Sequence, residues 1–330
     1  MKKFFMKKII LFILILIFIN QINIYAKMVT IYDDEMSDFG KDTMYPEIAQ
    51  NLSLQKNTNK YSKDDWIKSS DGRWWYRHKD GSYTKDDWEK IDDKWYLFDK
   101  SGWMLYGWQY RRGSYYYLGK SSDGSMKIGW EKVDDKWYFM NSDGKMRTST
   151  LIQNNRTYTF FSSGELQTTI ININKIIQKQ SRWCWAASAK MVGTYGINYN
   201  ITQEEIVNHV KKMIIDKGAN DKEFSDAINF ASNNTKITLI DYNRIYDFKF
   251  VVDKIDKNKL MGVHFTFDGI PFGHAIVFSG YRVGETEAEN KIYIVDPDKN
   301  ATSRFYYFNE LLNGCKMDSG QGRILAYIYY

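Results

Sequence analysis

Residues 178–188 read Gln-Lys-Gln-Ser-Arg-Trp-Cys-Trp-Ala-Ala-Ser, and the cysteine among them, Cys184, directly precedes a helix-forming run at 186–194. The cysteine therefore stands where a helix is expected to begin. A helix N-terminus presents unpaired backbone N–H groups and the positive end of the helix dipole, and both favour a thiolate. We predict that Cys184 is a catalytic nucleophile.

A nucleophilic cysteine needs a general base, and the chain has four histidines. His78 lies among aromatic repeats and is expected at the surface, and His209 lies on a predicted helix. His264 lies within a predicted strand and stays open as an alternative. Gly273 lets backbone or substrate approach His274, which begins an apolar strand. We predict His274 as the base.

Asp296 ends the apolar run 292–295, which is predicted to be the next strand after that of His274. Adjacent antiparallel strands would bring the carboxylate beside the imidazole, where it would orient the ring and stabilise the imidazolium. We predict this role for Asp296. The alternative is a turn residue before Pro297.

Helix signals precede strand signals in this half of the chain. Helices are expected at 186–194, at 202–216 with a capping box from Thr202, and at 222–232. Strands are expected at 237–241, 261–267, 274–281, 291–296 and 324–329. This order predicts an α+β domain over 172–330, entered through a linker at 167–177.

Three motifs resemble the papain-like cysteine peptidases, in the compact bacterial branch that includes bacteriocin-leader peptidases and plant-pathogen effector proteases. They are Cys184-Trp185-Ala186 with Ser188, Gly273-His274, and Val295-Asp296-Pro297. The resemblance implies that Gln178, six residues before the cysteine, donates to the oxyanion hole. Gln180 is the alternative donor.

The resemblance implies hydrolysis of a peptide bond in a peptide or protein substrate by a Cys-His-Asp triad. Arg182-Trp183 departs from the small residues that precede the cysteine in papain itself. No metal or organic cofactor is expected, since no group of His, Cys or carboxylate residues has ligand spacing. Two alternatives remain: a peptidoglycan amidase or endopeptidase using the same Cys-His pair, and a non-catalytic surface adhesin.

Aromatic repeats occupy residues 61–166. Trp66, Trp88, Trp108 and Trp130 stand 22, 20 and 22 residues apart, a period typical of stacked units. Paired aromatics follow three of these tryptophans, and each unit reads as a strand pair closed by a Ser-Asp-Gly type turn, as at Asp123-Gly124. A lone hairpin cannot bury its rings, so an all-β hairpin solenoid is predicted.

The repeats resemble the choline-binding or cell-wall-binding repeats of Gram-positive surface proteins, and Gly107-Trp108 and Gly129-Trp130 match their unit closely. The resemblance implies an aromatic cage for a quaternary ammonium, built from Trp88, Trp95, Trp108, Tyr115, Trp130 and Trp137. The partner would be a cell-wall polymer, either choline-decorated teichoic acid or a glycan. Alternatively, these rings are only the core of the solenoid.

Residues 1–26 have the pattern of a signal peptide: lysines, then the apolar run 9–19, then a polar stretch ending at Ala26. Eleven apolar residues are fewer than the roughly 20 needed to span a bilayer, so cleavage and secretion to the cell wall are favoured over a membrane anchor. Residues 27–60 are expected to be a linker or a propeptide.

The formal net charge is +6, from 46 basic and 40 acidic residues. Four of the lysines lie within the first eight residues, so after signal cleavage 42 basic residues would face 40 acidic ones. The remaining charges are interspersed, which does not favour a nucleic-acid partner. With two cysteines, Cys184 and Cys315, no disulfide framework is expected; a single bridge between them is the alternative to a free structural thiol at Cys315.

Overall fold

The computed structural model describes residue 61, residues 63–269 and residues 273–330. The predicted signal peptide and the segment 27–60 lie outside these residues. The chain divides between Leu105 and Tyr106 into two compact units. Within the described residues, no helix is both long and apolar enough to cross a membrane.

The first unit contains two antiparallel hairpins, whose strands are β1 (Asp65–Lys68), β2 (Trp74–Arg77), β3 (Trp88–Ile91) and β4 (Lys94–Leu97). Its core is aromatic. The buried cluster of Ile91, Tyr96, Phe98 and Met104 packs against rings that include Trp66.

The second unit begins with further hairpins of the same kind. Their strands are β5 (Trp108–Arg111), β6 (Ser114–Tyr117), β7 (Gly129–Val133), β8 (Lys136–Met140), β9 (Leu151–Gln153) and β10 (Arg156–Phe160). The strands thus confirm the predicted all-β repeats.

The hairpins turn at a different place from the one the sequence suggested. Asp134 and Asp135, between β7 and β8, have φ values of 49° and 63°. Two successive residues with positive φ make a turn whose twist matches that of the flanking strands. The Ser-Asp-Gly segments instead connect one hairpin to the next. At Gly144 in one of these segments, a Cβ atom would collide with the Met126 side chain, so the glycine lets successive units pack closely.

The helices of the C-terminal domain are α1 (Cys184–Thr194), α2 (Gln203–Lys211), α3 (Asp221–Ala231), α4 (Phe248–Asp256) and α5 (Phe308–Asn313). The three predicted helices are confirmed, including the capping box from Thr202 to Glu205, although α2 ends at Lys211 rather than near residue 216. The sequence prediction missed α4 and α5.

Strands β9 to β18 form one ten-stranded sheet, whose main path runs β12-β18-β13-β14-β11-β10-β9. Its remaining strands are β11 (Leu166–Ile171), β12 (Leu239–Asp241), β13 (Met261–Phe267), β14 (Gly273–Arg282), β15 (Lys291–Val295), β16 (Arg304–Tyr307), β17 (Cys315–Met317) and β18 (Gly320–Tyr329). The pairings around β14 are antiparallel, and the domain is α+β, as predicted.

Strand β11 corrects the predicted linker. All but the first of its residues lie within the segment 167–177, and it pairs with β14 through Thr168 to Arg282, Thr169 to Tyr281 and Ile170 to Gly280. Both threonines are buried. The last repeat hairpin is therefore part of the same sheet as the C-terminal strands, because β11 pairs with β10 on one side and β14 on the other.

Candidate active site

Cys184 is the first residue of α1 and is half-buried. Within the described structure, the preceding residue Trp183 provides no side-chain cap for this helix. The first backbone N–H groups of a helix have no partner inside the helix, so they point toward the region of the sulfur. The observed start of α1 matches the position predicted for a nucleophile.

The two tryptophans beside Cys184 attach it to the loop between α2 and α3, residues 212–220. The indole N–H of Trp183 donates to the backbone carbonyl of Ile215 at 2.9 Å, and that of Trp185 to the carbonyl of Lys217 at 3.0 Å. The departure from papain at Trp183 thus has a structural reason. The paired tryptophans are the only signal of this contact in the sequence.

Asp216 adds a second attachment that the sequence analysis missed. Its carboxylate accepts hydrogen bonds from the Ser181 hydroxyl at 2.7 Å and from the Arg182 backbone N–H at 2.8 Å. The loop therefore holds the three residues before Cys184 through both its backbone and this side chain.

Ser188 fixes α1 against the strand that carries His274. Its buried hydroxyl donates to the backbone carbonyl of Ala275 at 2.9 Å. Residues four apart lie on one face of a helix, so Cys184 and Ser188 face the same strand. This bond gives Ser188, the last residue of the first motif, a positioning role.

His274 and Asp296 form a buried pair. His274 is 7% exposed and Asp296 is 1% exposed, and the distance from Nε2 of the histidine to Oδ1 of the aspartate is 2.7 Å. The strands β14 and β15 are antiparallel neighbours, as the sequence predicted for these two residues. Since the Asp296 carboxylate lies against Nε2, a proton transfer between this ring and Cys184 would use the other ring nitrogen, Nδ1.

The environment of His274 favours the imidazolium. Burial alone would lower the pKa of the imidazole, but the hydrogen bonds and negative charges of Asp296 and Cys184 raise this pKa to about 10. For Asp296, burial would raise the pKa, whereas the hydrogen bond and charge of His274 outweigh it and hold the pKa below its ordinary value. With these two pKa shifts, the imidazolium of His274 and the carboxylate of Asp296 form an ion pair at neutral pH.

Gln178 lies in the segment before the nucleophile, and its backbone N–H donates to the Pro297 carbonyl at 2.9 Å, next to Asp296. Its side-chain amide donates to the carbonyls of Gln180 at 3.0 Å and Ser181 at 2.9 Å. Both amide hydrogens are therefore engaged in this structure. Gln180, the alternative donor, is exposed.

His264, the alternative base, belongs to a different cluster. Its Nδ1 lies 2.5 Å from Oδ1 of Asp221 in α3, and the other oxygen of Asp221 accepts from the Tyr242 hydroxyl at 2.7 Å.

Cys184 and Cys315 are both free, so the alternative of a bridge between them is wrong. Cys315 is buried in β17, and burial raises the pKa of its thiol to about 11.

The six aromatic residues predicted to bind the wall ligand all lie in repeat strands. In β7 and β8, Trp130 and Trp137 approach with ring centroids 6.4 Å apart at an interplanar angle of 88°. Trp88 and Trp95 take the corresponding positions of β3 and β4, and Trp108 and Tyr115 those of β5 and β6.

In each of the three hairpins, the aromatic ring on the second strand is exposed, whereas the tyrosine that follows it in the chain is buried. Trp95 and Trp137 are each 41% exposed and Tyr115 is 37% exposed. The adjacent residues Tyr96, Tyr116 and Tyr138, on the opposite hairpin face, are 9% exposed or less. One face of each hairpin thus supplies core, and the other presents rings to solvent.

Three segments of the chain match models of known families. Residues 166–313 match the papain-like cysteine protease AvrRpt2 family. Residues 84–128 match a choline-binding repeat, and residues 128–146 match a putative cell wall binding repeat. No curated protein matches the chain.

Solved structures resemble the chain over part of its length. Choline binding protein F from Streptococcus pneumoniae is 32% identical over 42% of this chain and 42% of that one, with a TM-score of 0.31. The pneumococcal cell wall endolysin from phage Cp-1 is 31% identical over 37% of this chain and 36% of that one, with a TM-score of 0.30. The chain thus spans well under half the length of these proteins.

Proposed function

Because residues 166–313 form a papain-like cysteine peptidase domain and choline-binding repeats precede it, we propose that this chain is a protease held at the cell wall by its repeats. Cys184 is the nucleophile, His274 the acid and base, and Asp296 the residue that orients His274. The observation that carries this proposal is the buried His274 to Asp296 pair beside the cysteine that begins α1.

The proposed reaction is acyl transfer to water. The imidazolium of His274 stabilises a thiolate on Cys184, which attacks the peptide carbonyl. His274 then gives its proton to the leaving amine and afterwards accepts one from the water that releases the acyl-enzyme. Asp296 keeps the ring in one orientation through both proton transfers.

The tetrahedral intermediate needs donors for its oxyanion. The backbone N–H of Cys184, at the start of α1, is one proposed donor, and the side-chain amide of Gln178 is the other. Gln178 would have to exchange its bond to the Gln180 or the Ser181 carbonyl for one to substrate.

The repeats account for the proposed location. The exposed rings of Trp95, Tyr115 and Trp137 suit a quaternary ammonium or a sugar face, so the partner would be a choline-decorated or glycan wall polymer. Secretion through residues 1–26 remains part of this proposal.

The test compares the full-length protein with its Cys184→Ala variant on casein and on purified cell walls. Casein cleavage by the wild type alone supports the protease. Loss of cell-wall turbidity by the wild type alone would instead identify a peptidoglycan hydrolase. Equal behaviour of the two proteins on both substrates would exclude catalysis by Cys184 on these substrates and favour an adhesin.

A further inference from the structure

The two oxygens of the buried Asp296 carboxylate have different surroundings. Oδ1 lies 2.7 Å from Nε2 of His274 and accepts a hydrogen bond from the Asp298 backbone N–H at 2.9 Å. Oδ2 is also buried, but among the described residues no donor meets it in hydrogen-bonding geometry. Most buried polar atoms in proteins are paired, because leaving one unpaired costs free energy. One oxygen of the proposed triad therefore calls for a donor.

The hydroxyl of Ser319 is a buried donor beside the same carboxylate. Its Oγ likewise meets no partner in hydrogen-bonding geometry within the part of the chain that the structure describes. Burial raises the pKa of the Asp296 carboxyl, whereas the hydrogen bond and charge of His274 lower it, and the Ser319 hydroxyl lowers it further. A hydroxyl has this effect only when it lies next to the carboxylate. A buried donor and a buried acceptor thus lie side by side.

The position of Ser319 is fixed from the residue before it. Asp318 and Ser319 form the two-residue turn between β17 and β18. The Asp318 carboxylate accepts from the Thr302 backbone N–H at 2.9 Å and from the Arg304 guanidinium at 2.6 Å. Thr302 and Arg304 lie where the chain that leaves Asp296 enters β16. These bonds therefore hold the turn against the segment that follows the carboxylate.

The residue after Ser319 contacts a ring that lies on His274. A Cβ atom at Gly320 would come within 2.5 Å of the Phe267 ring, so the glycine allows the turn to approach this ring closely. The Phe267 ring is stacked on the imidazole of His274, with centroids 6.0 Å apart and an interplanar angle of 16°. The turn is thus packed against the surroundings of both members of the His274 to Asp296 pair.

From this arrangement we infer that Ser319 is a positioning residue of the proposed site, whose hydroxyl donates to Oδ2 of Asp296 and fixes the carboxylate against His274. The inference rests on the proposed protease function and adds a residue to its machinery. Donors at both oxygens prevent the carboxylate from turning about its bond to Cβ, and a fixed carboxylate keeps the imidazole in one orientation during proton transfer.

The experiment compares full-length wild type, Ser319→Ala and Ser319→Thr on a fluorogenic peptide that spans a casein cleavage site. Loss of the hydroxyl in Ser319→Ala should lower kcat by about 10-fold. The hydroxyl acts through Asp296 rather than on the substrate, so KM should stay within about 2-fold of the wild-type value. Ser319→Thr keeps a hydroxyl and should retain kcat within about 2-fold of the wild type.

Carbon-13 NMR of the aspartate carboxyl groups tests the hydrogen bond without using activity. The Asp296 signal is identified by its loss in Asp296→Asn. Its titration midpoint should lie at higher pH in Ser319→Ala than in the wild type, because the hydroxyl stabilises the ionised carboxylate. Ser142→Ala is the control for both measurements, since Ser142 is an exposed turn residue of the repeats. This variant should match the wild type.

A wild-type kcat in Ser319→Ala would overturn the inference, and so would an unshifted Asp296 midpoint or an equal loss of kcat in Ser319→Thr. In these cases the protease function would stand, provided that the wild type cleaves the peptide and Cys184→Ala does not. If neither protein cleaves it, or both cleave it equally, the proposed function fails and the positioning role fails with it, whereas a shifted midpoint would still identify the hydrogen bond.

Discussion

At the scale of single residues, a carboxylate neighbour does not distinguish His274, the proposed base, from the other histidines. All four histidines lie within 3.3 Å of one: His78 near Glu89, His209 near Asp226, His264 near Asp221 and His274 near Asp296. What sets His274 apart is its burial together with the influence of Cys184, which helps to raise the pKa of its imidazole. These two properties depend on how strands and helices pack, so elimination among four histidines was as far as the sequence could go.

The raised pKa of His274 gives the first prediction. The folded protein should hold this proton up to about pH 10, whereas the imidazole in the unfolded chain loses it near 6.5. The protonated His274 therefore contributes to the free energy of unfolding. This contribution is fully present below about pH 6.5 and is lost as the pH rises through about 10.

Histidine ring NMR shifts measured against pH should place the midpoint of His274 near 10 in the wild type and lower in Cys184→Ala, which loses one of the two groups that raise it. A wild-type midpoint near 6.5 would contradict the ion pair.

The second prediction concerns the carboxylate of Asp296. In Asp296→Asn the ring loses its buried charged partner, so both its orientation and its proton affinity change. We expect kcat/KM on a peptide substrate to fall by about 100-fold or more. Asp253→Asn is a suitable control, since Asp253 of α4 forms an exposed ion pair with Lys257, the residue after this helix, and exposed pairs contribute little. Comparable activity of the two variants would exclude the proposed role of Asp296.

At the scale of elements, α1 is held at both ends. The Trp183 and Ser188 contacts fix the end that carries Cys184. At the other end the buried ammonium of Lys236 donates to the carbonyls of Val192 and Tyr195, each at 2.7 Å. These carbonyls belong to the last turn of the helix, where a cation also meets the negative end of the dipole.

The third prediction follows from Lys236. Lys236→Met keeps most of the side-chain volume but leaves the two carbonyls without their donor, so the free energy of unfolding should fall by about 1–3 kcal/mol. Burial lowers the pKa of Lys236 to about 8, from 10.5 in the unfolded chain. The unfolded chain thus holds this proton more tightly between these two values, and the contribution of Lys236 to stability rises with pH across that window.

Urea unfolding at pH 7.5 and pH 10 would measure both effects. The stability difference between wild type and Lys236→Met should be larger at pH 10. A difference that is zero at both pH values would show that Lys236 does not stabilise α1.

The fourth prediction concerns β11. A chain that begins at residue 172 lacks this strand and exposes the edge of β14 at Gly280–Arg282, the far end of the strand that includes His274. Exposed sheet edges promote association. We expect this shortened chain to aggregate and to lack the proposed casein cleavage, whereas a chain that begins at residue 148 keeps β9 to β11 and should be a monomer that cleaves casein at the rate of the full protein. Size-exclusion chromatography and a casein assay distinguish them, and a monomeric, active chain from residue 172 would contradict the role of β11.

At the scale of the whole molecule, the residues proposed for binding are separate from those proposed for cleavage. The exposed rings of the repeats lie on hairpin faces, whereas Cys184 begins α1, His274 lies in β14 and Asp296 directly follows β15. The fifth prediction is that Trp137→Ala weakens choline binding about 2- to 30-fold, the loss of one cation–π contact, and leaves kcat/KM on a soluble peptide unchanged.

Isothermal titration with choline and a fluorogenic peptide assay measure the two properties. Tyr246→Ala is the control, because Tyr246 is 69% exposed and lies outside the repeats. If Trp137→Ala bound choline like the control, Trp137 would not be part of the ligand site.

Local signals in the sequence were sufficient for several features. The spacing of the tryptophans predicted the repeat hairpins, the Thr202 to Glu205 capping box predicted the start of α2, and the short motif at Cys184 predicted the peptidase family. Each of these depends on residues close together in the chain, which set helix caps, turns and strand alternation directly.

Contacts between distant residues were decided only by the tertiary structure. The attachment of Trp183 to Ile215, the pairing of β11 with β14 and the bond from the Gln178 N–H to the Pro297 carbonyl join distant segments through backbone groups. Every residue except proline carries the same backbone donor and acceptor, so residue identity does not reveal which of them will meet. The sequence by itself therefore determined the repeats and the position of Cys184 at the start of a helix, whereas packing determined the contacts of the residues around Cys184 and the extent of the sheet.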